Sequence, residues 1–265
     1  MHRLLLLLAL TVPYNFARAQ VTPLYIEGLT WPEIRQAIAS GKTTAILYIG
    51  STEQNGPHMV TGKHNFVARY LAGLIAAKLG NALVYPILPF AITGDLVQKT
   101  GHMRFPGSVS LTPQTYAGVV HDVAVSAIDA GFKYVAIMGD HGGGQNVLAT
   151  VAKQLDAAWK KKGVRVLYVP DLYFKEKQQA AALEAAHGIT RDVHAGTDDT
   201  SELMAIDTPH GWIRYDQLAL SAAQQGAVGV DGDPTKATPA LGRIFLGYKV
   251  DDAVAQIRAL EAAAR

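Results

Sequence analysis

Residues 44–58 read Thr-Ala-Ile-Leu-Tyr-Ile-Gly-Ser-Thr-Glu-Gln-Asn-Gly-Pro-His. The first six form a short apolar run bounded by turn residues, the signature of a buried strand. A Gly/Pro-rich turn follows at once and carries carboxylate, amide and imidazole groups. In an open α/β sheet, ligands bind at the loops beyond the carboxyl ends of the strands. Glu53, Asn55 and His58 therefore stand where an α/β enzyme places its chemistry.

Working outward, the pattern repeats. A helix is predicted over 31–40 with Thr30 as its N-cap, and another over 65–79, apolar at Phe66, Leu71, Leu74 and Ile75 and ended by Gly80. Residues 82–88 read as a second strand and 94–107 as loop. Thr112 and Pro113 open a helix over 113–130. Strands are predicted at 134–138 and 164–169, with a glycine turn at 139–144 and a helix at 145–161 between them. Alternating strands and helices joined by short turns predict a three-layer α/β fold, a mostly parallel sheet with helices on both faces. Beyond it, 171–205 reads as mainly helical, 226–238 as loop and 251–264 as a final helix. No repeat or linker divides the chain, so 20–265 is read as one domain.

At 265 residues, with 49% apolar and 17% charged, the chain is long and apolar enough to bury a large core and is not of disordered composition. The net charge of +2 is spread out. The single basic run, Lys160–Lys162, falls at a helix end, where cations suit the dipole, so no nucleic-acid surface is indicated. With no cysteine, disulfides and thiolate chemistry are excluded, and any metal takes N and O ligands. At the N-terminus, His2 and Arg3 precede an apolar run over 4–12, and Ala17-Arg18-Ala19 supplies small residues at a cleavage-site spacing. The run is too short to span a bilayer. Residues 1–19 are read as a cleaved signal peptide, giving a secreted or periplasmic protein with no membrane segment after cleavage.

Three polar clusters follow strands or glycine turns: Glu53, Asn55, His58 and His64; Asp140 and His141; and His194 with Asp198 and Asp199. Glycines 142–144 before a helix also offer backbone N–H groups to an anion, but both G-x-G-x-x-G and the Walker Lys-Ser/Thr are absent. Parallel topology brings the three clusters to one sheet edge. Glu53, His64 and His141 are expected to surround one divalent cation, a carboxylate and two imidazoles leaving a position open for water. His194 is placed to move a proton.

At these residues the chain resembles the creatininase (creatinine amidohydrolase) family. The family's Gly-Ser-Thr-Glu-Gln-His-Gly-Pro-His is matched by residues 50–58 except at Asn55. Its Phe-Pro-Gly-Thr-Ile-Ser-Leu is matched by residues 105–111, and its Asn-Gly-His-Gly-Gly-Asn is similar to residues 139–144. Its His-Ala-Gly-Glu and Glu-Thr-Ser are similar to residues 194–201, and the region 229–243 is also alike. The resemblance implies a layered parallel-sheet hydrolase of amide C–N bonds, commonly hexameric, with two divalent metals, usually zinc or manganese. It puts Glu53 and His141 on metal-ligand positions and His194 on that of a catalytic histidine.

The departures carry meaning. The family's ligand His is Asn55 here, its bridging Asp falls on His64, and the Glu of His-Ala-Gly-Glu is Thr197. Gly139 and Asp140 replace the Asn-Gly before the histidine. A neutral imidazole offers one lone pair and does not bridge two cations as a carboxylate does, and an amide oxygen is a poor zinc ligand. The expectation is therefore one ion, zinc before manganese, held by Glu53, His64 and His141, with Asp198 or Asp199 as the fourth group. Asn55, His58, His102, Asp140 and Asp199 are expected to line the substrate pocket. The function expected is an exported metal-dependent hydrolase of a small polar amide or lactam, assembled as a homo-oligomer. The alternative is a non-catalytic binding protein of the same fold.

Overall fold

The computed structural model of the chain describes residues 23–189, 192–207 and 210–263. The segment read as a signal peptide lies outside the described residues. The order is α1 (Trp31–Ala39), β1 (Thr44–Ile49), α2 (Lys63–Leu79), β2 (Ala82–Val84), α3 (Pro113–Asp129), β3 (Tyr134–Gly139), α4 (Gln145–Trp159), β4 (Arg165–Tyr168), α5 (Asp171–Ala186), α6 (Thr197–Ile206), α7 (Leu218–Gln224) and α8 (Pro239–Ala263).

The four strands pair in parallel in the order β2-β1-β3-β4. Parallel strands need both faces covered, and the sequence of β1 shows how. Side chains alternate across a strand. Ala45, Leu47 and Ile49 meet Val120 and Ala124 of α3 and Leu148 and Ala152 of α4. Ile46 and Tyr48 point the other way, into Val67 and Leu71 of α2 and Val250 and Ile257 of α8. Each fully buried Leu or Ile contributes about 1.5–3 kcal/mol, so the two apolar faces of one strand fix three layers. This is the α/β architecture expected from the sequence.

Two boundaries differ from the sequence reading. The ladder of β2 stops at Val84: Tyr85 still donates to the Ile46 carbonyl, but the next bond to β1 is made only by the Leu88 N–H, to the Tyr48 carbonyl. The chain stays extended, however, and Leu88 forms an isolated parallel bridge to Ile49. The final helix begins at Pro239 rather than at 251. Thr238 Oγ1 accepts the Leu241 N–H at 3.2 Å, so the Thr-Pro pair acts as cap and first helical residue.

Register sets up the site. Ile49 at the end of β1 lies opposite Gly139 at the end of β3. The turns carrying Glu53 and Asp140–His141 consequently leave the sheet side by side.

Candidate metal centre

Glu53 is fully buried at the centre of this edge. Its Oε2 lies 2.7 Å from His141 Nε2 and accepts the Ser51 hydroxyl at 2.9 Å. Its Oε1 lies 3.2 Å from His64 Nε2 and 3.8 Å from His102 Nε2. Burial pushes the Glu53 carboxyl up, but His141 and His64 outweigh it and hold the group well below the usual carboxylate range.

His64 occupies the first turn of α2. Its Nδ1 hydrogen-bonds Asp140 Oδ2 at 2.8 Å, so Nε2 is aimed at Glu53. A carboxylate behind an imidazole is the usual support of a metal-bound histidine. Burial and the neighbouring Lys63 push the His64 pKa down, but Glu53 and Asp140 bring it above the ordinary value. His141 follows β3. Its Nδ1 is 3.1 Å from the Gly143 N and 3.3 Å from the Gly143 carbonyl oxygen, so a backbone acceptor is within reach when Nε2 ligates. The rings of His64 and His141 meet edge to face, centroids 5.3 Å apart.

The three residues expected at the metal are thus brought together, and the donor set of carboxylate and imidazole suits zinc or manganese. Among the described residues, however, the trio whose ligand atoms all lie within 4.8 Å of one another is Glu53, His102 and His141, with His102 in place of the expected His64. His102, expected only as pocket lining, therefore reaches the same centre as His64. It comes from the turn Gly101–Arg104. Burial lowers the His102 pKa to about 4.

The remaining predicted residues divide. Asp140, Asp199, His102 and His194 line a cleft of about 300 Å³ together with Glu53, His64 and His141. His194 sits 3.9 Å from Glu53 Oε1 through Nδ1, and burial lowers its pKa despite Asp199 and Glu53. Ala195, next to it, is held at φ 54°, a left-handed conformation costly for a residue with a Cβ. The Asp199 carboxylate accepts the Ala195 N–H at 2.8 Å and supports that strain. Asp198, the expected fourth ligand, is diverted: its oxygens are taken by the Lys177 ammonium and the Asp199 N–H. His58 does not reach the cleft either. It is buried with Nδ1 on Ser221 Oγ at 2.9 Å and Nε2 on Thr200 Oγ1 at 3.0 Å, tying the turn after β1 to α6 and α7. Asn55 is buried beside the site, its amide donating to the Glu53 carbonyl at 3.0 Å.

Sequence reasoning missed the lysines. Lys63 is fully buried against Asp199 and lies 3.8 Å from Glu202. Lys249 lies 3.1 Å from Asp140 and 2.7 Å from Glu202. Burial opposes both ammonium groups, but these carboxylates outweigh it and raise their pKa values. The signal for Lys249 was present: it falls at helical spacing from Phe245, Leu246 and Ala253, on a face that must be buried. Asp140, Asp198, Asp199 and Glu202 each have a lysine, whereas among the described residues the ionisable partners within 4 Å of the Glu53 carboxylate are all histidines, beside the Ser51 hydroxyl.

The glycine run beside His141 is a packing device. A Cβ on Gly143 would lie 2.0 Å from the Ile92 carbonyl oxygen, and one on Gly142 would lie 2.4 Å from the Tyr173 hydroxyl.

Comparison with known proteins gives the family. Residues 27–257 match the family model described as "Creatininase: Creatinine amidohydrolase". A mycofactocin precursor peptide peptidase of Mycolicibacterium smegmatis is 30% identical over 207 residues, 74% of this chain and 77% of the relative. The creatinine amidohydrolase of Pseudomonas putida is 30% identical over 118 residues, 44% of each chain. The solved structure named "Creatininase Mn" superposes with a TM-score of 0.70 at 21% identity, covering 89% of this chain and 98% of that one. With the family model spanning nearly the whole described fold, the chain belongs to the creatininase family of metal-dependent amidohydrolases.

Proposed function

We propose that this chain is an exported hydrolase of amide or lactam C–N bonds in small polar molecules, holding one divalent ion, zinc before manganese, on Glu53, His64 and His141. The observation that carries the reading is the isolation of Glu53. It is a buried carboxylate whose charged or chargeable neighbours are all imidazoles, with the Ser51 hydroxyl beside them, in a wall where Asp140, Asp198, Asp199 and Glu202 each have a lysine. A carboxylate in that setting calls for a cation, and the lysines supply the counter-charge elsewhere, which favours one ion over two.

Such an ion, when bound, would polarise a carbonyl and acidify water. The chain's own residues do the rest. Asp140 orients the His64 ring, and Lys249 holds Asp140 in place. Burial favours the uncharged form of His194, and its Nδ1 faces the cleft, where it would take a proton from the attacking water and return it to the leaving nitrogen. The cleft volume fits a small amide, and the peptidase relative supports an amide of peptide type as the first class to try.

The test is elemental analysis of protein purified without chelators, followed by turnover on lactams, linear amides and short peptides. The reading expects one equivalent per chain and hydrolysis of one class. Two tightly held equivalents refute the single-ion assignment. Protein that binds a small ligand without metal or turnover is a binding protein instead. Export is tested separately, by finding whether a tagged full-length chain loses residues 1–19 and leaves the cytoplasm.

A further inference from the structure

Gln54 sits between the two histidines at the mouth of the cleft, and its hydrogen bonds admit one consistent assignment. Its Oε1 accepts the Gly56 N–H at 2.9 Å, which fixes which way the amide faces. Its Nε2 then carries two N–H groups. One donates to the Gly229 carbonyl at 2.9 Å. The other has two imidazole neighbours, His102 Nδ1 at 3.0 Å and His194 Nε2 at 3.1 Å.

His194 Nε2 is also 3.0 Å from the backbone carbonyl of Gln54, which only accepts. His194 Nε2 therefore bears the hydrogen and donates it there. The second Gln54 N–H goes to His102 Nδ1, which must hold a lone pair. The reverse assignment sets a donor against a donor at His102 and removes this donor from the Gln54 carbonyl.

Both rings are thus Nε2–H tautomers turned opposite ways. His102 offers its lone pair to Gln54 and its N–H to the cleft, 3.8 Å from Glu53 Oε1. His194 offers its N–H to Gln54 and its lone pair to the cleft, 3.9 Å from the same oxygen and 4.0 Å from Asp199 Oδ2. The ring centroids are 4.4 Å apart. The seat of Gln54 is tight: a Cβ on Gly229, which sits at φ 78°, would lie 2.2 Å from Gln54 Oε1.

We infer that Gln54 is a positioning residue that makes His102 a hydrogen-bond donor to the substrate oxygen and His194 the acceptor of the water proton, and so keeps His102 off the metal. The inference rests on the hydrolase reading above. In the reaction, the water O–H bond breaks and the proton passes to His194 Nδ1, while the water oxygen bonds to the carbonyl carbon. The C=O electron pair moves to the oxygen, which accepts the His102 Nε2–H hydrogen bond. The carbonyl re-forms as the C–N bond breaks, and the leaving nitrogen takes the proton from His194. His102 cannot ligate through Nε2 while Nδ1 receives a hydrogen bond, because a ligating imidazole must donate from Nδ1. His64, whose Nδ1 faces Asp140, has no such conflict, and His141, whose Nδ1 takes the Gly143 N–H at 3.1 Å, has the Gly143 carbonyl oxygen at 3.3 Å to receive an Nδ1–H instead, an acceptor that the Gln54 amide does not offer His102.

The experiment is ¹⁵N long-range NMR of the histidine rings, metal-free and zinc-loaded, with His102 and His194 assigned through His102→Asn and His194→Asn. The expected result is an Nε2–H tautomer at both rings, with the His102 Nε2–H persisting on zinc loading. Gln54→Glu offers His102 an acceptor in place of a donor. It should convert His102 to the Nδ1–H tautomer and lower kcat roughly 10²–10³-fold, as loss of an oxyanion donor does. Metal content should stay at the wild-type value. A His102 Nε2 resonance that becomes metal-bound, or a His102 tautomer unmoved by Gln54→Glu, overturns the inference. The wild-type spectra decide the question even where the variant folds poorly. A protein that hydrolyses nothing but shows these tautomers defeats the hydrolase reading and leaves the Gln54 assignment standing.

Discussion

Asp140 accepts the Nδ1–H of His64 at 2.8 Å, while its other oxygen holds the Lys249 ammonium at 3.1 Å. The helix that closes the fold and the helix that carries a candidate ligand are therefore joined through one carboxylate. Asp140→Asn keeps the shape but loses the charge. It should raise the zinc Kd roughly 10–100-fold, the usual cost of removing such a supporting group. Competition against a fluorescent chelator measures this, and an unchanged Kd would separate His64 from the metal.

His141 is the nearest imidazole to Glu53. His141→Ala should abolish zinc retention through desalting together with all hydrolysis. Activity that survives in the metal-free variant would count directly against the proposed chemistry.

Lys63 is charged, buried and shared between Asp199 and Glu202. Lys63→Met leaves those carboxylates with an unmet charge, and breaking a buried pair in this way costs roughly 3–5 kcal/mol. The loss should be smaller at pH 5 than at pH 8, since protonation relieves the stranded acids. Denaturant melts at the two pH values check both the size and the direction.

His58 provides the pH dependence. Burial lowers its pKa to about 4 from an ordinary value near 6.5. Folding favours the neutral base, so the unfolded chain takes up the proton first. The stabilisation is fully present above about pH 6.5 and declines by roughly 1.4 kcal/mol per unit as pH falls towards 4. His102, also lowered to about 4, and Glu184, raised to about 7, titrate in the same interval, so the check is the difference: His58→Gln should make the acid decline of the metal-free protein shallower than that of wild type by roughly this slope. Equal slopes would show that other groups govern the acid limb.

Gly143 lies against the Ile92 carbonyl oxygen and the His141 ring. Gly143→Ala should destabilise the protein by roughly 1–3 kcal/mol through overpacking and weaken zinc binding by displacing His141. Thermal melts and metal titration of the same sample test the two effects together.

The strands, the layers and the sheet edge carrying Glu53 and His141 were legible because the unbroken apolar run of β1 and the Gly-rich turns are local signals. The start of α8 was not, because Gly242 and Gly247, poor helix formers, interrupt its first turns. Nor were the ion pairs. Lys63 meets Asp199 across 136 residues of chain, and Lys249 meets Asp140 across 109. Such partners are chosen by folding, not by spacing. Asp198 illustrates the cost: its place in the sequence suited a ligand, but Lys177, one helix earlier, claims it. The role of Gln54 was hidden for the same reason, since three of its partners, His102, His194 and Gly229, come from distant loops.

The lysines behind the site bear on how the protein is loaded. Because Lys63, Lys177 and Lys249 already balance neighbouring carboxylates, the fold does not wait on a metal to hold that wall together. The emptied chain should keep its shape and accept an ion afterwards, so that occupancy follows supply. Under the export proposed above, the identity of the bound ion would be settled by the surroundings the chain enters, not by those in which it was made.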